Sequence, residues 1–177
     1  LAMAALGPVE HVRPLRAALR GALKPDPRLR TEAMGLVFPS PIGVAGGFDK
    51  DGKRARALAA LGFGFVEIGT LTARPQSANP APNLFRLPRD RALVNRLGFP
   101  NEGADAVCAR IARRVPIGVP LGVSIGKSRP VPVDDAVDDY LASFRAARQV
   151  ADFVVVNVSS PNTKGLRAMQ GAEHARA

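Results

Sequence analysis

Asp152-Phe-Val-Val-Val-Asn-Val-Ser-Ser-Pro-Asn-Thr163 joins an apolar, β-branched run to a cluster of amides and hydroxyls. A run of this length and composition predicts a strand buried on both faces, as in a parallel sheet. Three earlier runs have the same form: Pro41-Ile-Gly-Val-Ala45, Gly64-Phe-Val-Glu-Ile-Gly69 and Pro120-Leu-Gly-Val-Ser-Ile125. Helix candidates at 51–61, 102–114 and 133–150 stand between them. The alternation predicts an α/β fold on a parallel sheet. In the last helix Val137, Leu141, Phe144 and Ala147 form the expected core face. Its Asp134, Asp135, Asp138 and Asp139 suit the positive end of the helix dipole better than a metal site.

Every candidate strand ends in small, hydroxyl, amide or lysine residues. These ends are Gly46-Gly-Phe-Asp-Lys-Asp-Gly52, Gly69-Thr70, Ser124-Ile-Gly-Lys127 and Asn157-Val-Ser-Ser-Pro-Asn-Thr163. Both β/α-barrels and open doubly wound sheets bind ligands beyond the C-terminal ends of their strands, so the pattern leaves both open. There is no dinucleotide glycine fingerprint after the first strand and no GxxxxGK[ST] phosphate loop. Amides at Asn157 and Asn162 could read the donors and acceptors of a planar heterocycle such as a pyrimidine. A serine beside them could move a proton if its surroundings activate it. The alternative is an ordinary Ser/Asn/Pro turn. Lys50 reads either as an anion clamp or as a solvated residue at the start of the next helix. The Pro-, Arg- and Asn-rich interval from Thr70 to Glu102 reads as a long connection without regular structure, a kind often functional.

Composition narrows the classes. With 177 residues, 46% hydrophobic and 23% charged, the chain suits one globular domain rather than a disordered tail. The single Cys108 excludes an internal disulfide or a CxxC zinc site. No apolar run approaches the ~18–20 residues that span a bilayer. Twenty-five Lys and Arg against 15 Asp and Glu give a net charge of +10, but aromatics are only 5%. Scattered arginines without stacking rings read as a solvated surface rather than a nucleic-acid site. One basic group is ordered: Arg13, Arg16, Arg20 and Lys24 alternate with Val12, Leu15, Ala18, Leu19, Ala22 and Leu23 at helical spacing. Such a helix lies on an anionic membrane or packs on the body of the protein. Lys24-Pro-Asp-Pro27 ends it.

At these residues the chain resembles the dihydroorotate dehydrogenases, in particular their quinone-dependent class 2 branch. The stretches that carry the resemblance run in the family's order. They are Gly35-Leu-Val-Phe-Pro-Ser-Pro-Ile-Gly43, Ala45-Gly-Gly-Phe-Asp-Lys-Asp-Gly52, Gly62-Phe-Gly-Phe-Val-Glu-Ile-Gly-Thr70 and Arg74-Pro-Gln76. Leu84-Phe-Arg-Leu87, Asn95-Arg-Leu-Gly-Phe99, Ile125-Gly-Lys127 and Asn157-Val-Ser-Ser-Pro-Asn-Thr163 complete the set. The resemblance implies a (β/α)8 TIM barrel holding FMN at its strand ends. Ala45, Gly46, Gly47, Lys50, Thr70, Ser124 and Asn157 would contact the flavin, Ser124 standing where class 2 members usually have asparagine. Lys50, Asn95, Arg96, Leu97, Gly98, Phe99, Asn157 and Asn162 would contact dihydroorotate, and Ser160 would be the catalytic base. Serine rather than cysteine at that position is the class 2 form. The implied reaction converts dihydroorotate to orotate in pyrimidine biosynthesis and passes the electrons to a membrane quinone.

Residues 1–30 then resemble part of the membrane-facing helical segment of that branch, and 31–177 the first half of the barrel. This implies a peripheral position on the inner face of the cytoplasmic membrane, with no nucleic-acid partner. A complete barrel needs ~250 residues and eight strands, whereas about four are legible here. The chain also lacks an initial Met, so it is expected to be part of a longer enzyme. The alternative is an inactive barrel fragment that serves only in binding or assembly.

Overall fold

The computed structural model describes residues 2–114 and 116–159. Four parallel strands form its centre in the order β3 (Val44–Asp49), β4 (Val66–Leu71), β7 (Leu121–Ile125) and β8 (Phe153–Val156). Between them run α4 (Ala55–Ala59), α5 (Ala104–Ala112) and α6 (Ala136–Ala147). All four predicted strands are present, the first shifted from Pro41–Ala45 to Val44–Asp49 so that Gly46 and Gly47 lie within it, and each predicted helix lies within its expected range but is shorter. α4 starts late because the buried Asp49 carboxylate accepts the backbone N–H groups of Lys53 and Arg54 at 2.9 and 2.7 Å. Those bonds hold 50–54 in a loop, so Lys50 does not stand at a helix start.

The two faces of the sheet do different work. Val66, Ile68, Leu121, Val123 and Ile125 face the helices and are essentially buried. With Leu58, Val107, Ile111 and Tyr140 they form the main core, which also buries Cys108. On the other face a lower layer is aromatic: the rings of Phe38, Phe65 and Phe153 meet edge to face at 5.8–6.3 Å. Glycines admit these rings, since a Cβ at Gly43 or Gly122 would lie 2.4 Å from the rings of Phe65 and Phe153. Above that layer Gly46, Glu67 and Ser124 come together, and the strand ends open above them.

Two expectations need correction. The interval from Thr70 to Glu102 contains an antiparallel hairpin, β5 (Leu84–Leu87) with β6 (Ala92–Asn95), so it is not without regular structure. Its strands are exposed throughout, and the hairpin therefore carries no buried-strand signal. A second unforeseen hairpin, β1 (Thr31–Ala33) with β2 (Leu36–Phe38), precedes the sheet and supplies Phe38. Of the expected core face of α6, only Ala147 is buried. Val137, Leu141 and Phe144 are exposed at 44%, 41% and 41%, while Ala136, Asp139, Tyr140, Ser143, Ala146 and Ala147 are buried. Small residues let α6 approach β7 and α5 closely, and the larger apolar side chains stay outside. Asp139 is fixed by accepting the Ser128 N–H at 2.6 Å.

The N-terminal region comprises α1 (Ala2–Ala5), α2 (Gly7–His11) and α3 (Arg13–Ala22), followed by a short 3₁₀ turn at Pro27–Leu29. The amphipathic helix expected near residues 12–23 is α3. It packs on the body through Leu19, which contacts the buried Val9, Ala57 and Ala60 cluster. No α3 residue is fully buried.

Candidate active site

β3, β4 and β8 end around one polar cleft of about 460 Å³. It is lined by Gly46, Gly47, Lys50, Thr70, Asn95, Leu97, Gly98, Phe99, Asn157 and Ser159. Nine of these ten are residues singled out in the sequence. The floor is glycine for a local reason. A Cβ at Gly46 would lie 2.4 Å from Glu67 Oε1, and Gly47 has φ +97°, a backbone conformation that side chains disfavour. Backbone is therefore exposed to the cleft where a flat ligand would lie.

Lys50 bends back over this floor and donates to the Gly47 carbonyl. Burial lowers its pKa, partly offset by Asp51. A half-desolvated ammonium above a polar cleft is a site for an anion. Behind the cleft a hydrogen-bond chain runs in one direction. Ser159 Oγ donates to Asn157 Oδ1 at 3.0 Å, and Asn157 Nδ2 donates to Thr70 Oγ1 at 2.9 Å. Thr70 and Ser124 hydroxyls stand 3.0 Å apart, and Ser124 bonds the Glu67 carboxylate. When Glu67 is ionised it only accepts, so Ser124 then donates to it and Thr70 donates to Ser124. The Asn157 amide is thereby oriented, with its backbone carbonyl also accepting the Tyr140 hydroxyl at 2.8 Å. Burial pushes Tyr140 up to about 12, so it stays a donor at any ordinary pH.

The opposite wall is the loop after β6. Gly98 and Phe99 have φ of +75° and +53°, which turns the chain back toward the strand ends. Gln76 Nε2 and Arg129 Nη2 donate to the Gly98 carbonyl at 2.8 and 3.2 Å, and Asn79 N–H donates to the Leu97 carbonyl at 3.0 Å. Three sequence-selected residues do not line the cleft. Arg96 turns to the hairpin, donating to Pro82 O at 3.0 Å and lying 6.0 Å from the Phe85 ring centroid. Ser124 is buried beneath Thr70, and Ala45 lies at the exposed start of β3. Ser160 and Asn162 lie outside the described residues. Lys127, at the end of β7, is fully buried and donates to the carbonyls of Ser128 and Val131 rather than to the cleft. The sequence reading missed Glu67, Tyr140 and Arg129, and gave Ser159 no role of its own although it quoted the cluster that contains it. Of the three missed, only Glu67 carried a signal, a charge inside an otherwise apolar strand.

A parallel sheet backed by helices, with its polar cleft at the C-terminal strand ends, is the site arrangement of β/α-barrel enzymes. The family model "Dihydroorotate dehydrogenase" matches residues 28–177, and the chain belongs to that family. It is 52% identical over 180 residues to "Dihydroorotate dehydrogenase (quinone)" of Mycobacterium tuberculosis strain H37Ra, covering 99% of this chain and 49% of that protein. The protein of the same name from Mycolicibacterium smegmatis is 52% identical over 171 residues, covering 94% of this chain and 47% of that protein. A crystal structure of DHODH from Eimeria tenella in complex with ferulenol has TM-score 0.80 and 41% identity, covering 90% of this chain and 45% of that one. The chain thus spans about half the length of the curated relatives it matches, and its fold is part of a TIM barrel.

Proposed function

We propose that the protein containing this chain is a quinone-dependent dihydroorotate dehydrogenase. It oxidises dihydroorotate to orotate in pyrimidine biosynthesis, with FMN as cofactor and a membrane quinone as acceptor. The observation that carries this reading is the single cleft that gathers Gly46, Gly47, Lys50, Thr70, Asn95, Leu97 to Phe99 and Asn157 from four separate stretches of sequence. The relatives' name supplies the substrate and acceptor.

The residues present fit FMN. Gly46 and Gly47 carry no side chains, so a flat ring can lie against their backbone, and the cleft is within the ~300–1,000 Å³ of small-molecule sites. Gly46 and Gly47 would lie along the ring, with Lys50, Thr70 and Asn157 at its polar edge and Ala45 and Ser124 behind. When bound, FMN supplies the redox chemistry, accepting the hydride that leaves C6 of dihydroorotate. The Lys50 ammonium holds the substrate carboxylate as an ion pair. Asn95, Asn157 and Asn162 read the amides of the pyrimidine ring, and the loop of Arg96, Leu97, Gly98 and Phe99 closes its other side. Ser160 takes the proton from C5.

An apolar cavity of about 470 Å³ suits a quinone ring. Ala5, Leu6, Gly43, Val44, Phe48, Leu58, Leu61 and Phe63 line it, with Phe48 next to Gly47 on β3. No described helix is long and apolar enough to cross a membrane. The exposed Val12, Leu15 and Leu23 on and beside α3 support peripheral contact with the inner face of the cytoplasmic membrane. On this reading residues 1–30 are the membrane-facing segment and 31–177 belong to the barrel.

Ser160→Ala in the flavin-loaded protein tests the assignment. Flavin stays bound, and dihydroorotate-dependent flavin reduction at neutral pH falls at least ~100-fold, the ordinary contribution of a general base. A wild-type reduction rate in this variant would remove Ser160 as the base.

A further inference from the structure

A second cavity lies at the other end of the sheet from the candidate active site. Its volume is about 910 Å³, and its floor comes from segments that precede the strands: Pro39 before β3, Gly62 and Phe63 before β4, and Pro116, Gly118 and Val119 before β7. Arg13, Arg16, Arg20 and Lys24 line the α3 side, and Arg56 and Arg114 the body side. Spaced at three or four residues, the α3 cations form one stripe along the helix. No acidic side chain lines the cavity. The nearest described carboxylate is Glu10, fully buried, which is already engaged by Arg56 at 3.1 Å, Arg114 at 3.4 Å and the Ala57 N–H at 3.0 Å. Arg13 and Lys24 make no hydrogen bond or ion pair among the described residues.

This wall is built, not incidental. Gly62 has φ +88°, and a Cβ there would lie 2.2 Å from the Leu23 carbonyl oxygen, so the end of α3 rests directly on that loop. Gly118 has φ +104°, and a Cβ there would lie 2.3 Å from Arg20 Nη2. Its absence lets the Arg20 guanidinium lie across the loop and donate to the Ile117 carbonyl at 3.1 Å. Arg16 is anchored at the same end by donating to the Val9 and Glu10 carbonyls at 3.3 and 2.7 Å. The stripe is thus held facing the floor although its charges repel one another. Desolvation and the neighbouring charges of Arg56, Arg20 and Arg13 all lower the Arg16 pKa, opposed only by Glu10.

We propose that this cavity is a second ligand site, binding a small molecule that carries two or more phosphate groups. Arginine forks match phosphate oxygens in pairs, and several clustered cations favour a multiply charged anion over a single carboxylate. Phe63, Ala59, Val119 and Pro116 give the remainder of such a molecule an apolar surface to lie on. A concave floor of three loops encloses a discrete ligand rather than presenting a flat face to a bilayer, and the volume falls in the range of small-molecule sites.

The test is calorimetric titration of inorganic triphosphate into the protein at low salt, with phosphatidylglycerol vesicles as the parallel arm. Saturable triphosphate binding is expected, weakening as salt is added. It should weaken at least tenfold in the double variant Arg13→Glu, Lys24→Glu, with flavin content and dihydroorotate-dependent flavin reduction unchanged. Because neither side chain has a partner among the described residues, the variant is expected to keep its fold; Arg13→Gln with Lys24→Gln, expected to show a smaller loss, guards against any effect of the new carboxylates. No triphosphate binding, or equal binding by wild type and both variants, would overturn the proposal. So would vesicle binding that triphosphate does not compete away, which would assign the stripe to a lipid surface. Failure of dihydroorotate oxidation in wild type would instead bear on the proposed function, since triphosphate binding does not depend on it.

Discussion

Gly46 and Glu67 constrain each other more tightly than any other pair at the cleft. The Gly46 N–H and the Ser124 hydroxyl both bond the Glu67 carboxylate, and the side chain occupies the space a Cβ at Gly46 would need. Gly46→Ala must therefore displace Glu67 or lift the chain into the flavin position. Overpacking of this kind costs about 1–3 kcal/mol, and flavin affinity is expected to fall at least ~10-fold, as equilibrium dialysis would measure. Unchanged affinity would place the flavin elsewhere. Glu67 itself gives a pH signature. Burial raises its pKa above the ordinary 4.5, outweighing the two hydrogen bonds that lower it. The folded protein then holds this proton at pH values where the unfolded chain has released it. Its contribution to stability consequently declines as pH rises from 4.5 through the raised value. Glu67→Gln removes that slope, so denaturant titrations should show the variant gaining on wild type as pH increases over this interval. Parallel curves would contradict the burial argument.

At the scale of elements, the legible parts were those with one dominant period. The four strands could be read because each is a short β-branched run closed by polar residues, and α3 because its basic and apolar residues alternate at helical spacing. α6 was misread in its orientation because both sides of it carry apolar residues. Close packing selected the side with Ala136, Ser143 and Ala147, a choice set by the distance to β7 and α5. The β5–β6 hairpin was invisible because its strands bury nothing, and its Arg and Pro content reads as loop. Its consequence for the site is Arg96, which the sequence places among cleft residues and the hairpin draws away. Arg129 is the converse case, distant in sequence yet bonded to the Ser77 and Gly98 carbonyls at 2.9 and 3.2 Å. Loss of such charged hydrogen bonds costs about 1.5–3 kcal/mol. Arg129→Ala should loosen the wall at Asn95 to Phe99 and raise KM for dihydroorotate ~10-fold, leaving kcat within about twofold. A fall in kcat at unchanged KM would mean that the loop acts on chemistry rather than on binding.

For the whole molecule, the barrel could be anticipated only through the resemblance, since strand ends alone left an open sheet equally possible. Among the described residues β3 and β8 each have one strand neighbour, so the sheet carries two open edges, and α6 turns Val137, Leu141 and Phe144 outward. A closed barrel leaves no such edges, and the matched relatives are about twice as long as this chain. An inactive fragment with the same half sheet would share these edges but would not turn over substrate. The two readings separate in one experiment: anaerobic titration of the FMN-loaded protein with dihydroorotate, following the visible flavin absorbance and orotate together. The account predicts that flavin bleaches fully as an equal amount of orotate forms, and that adding quinone restores the colour. Flavin that stays oxidised in the presence of bound dihydroorotate would contradict it.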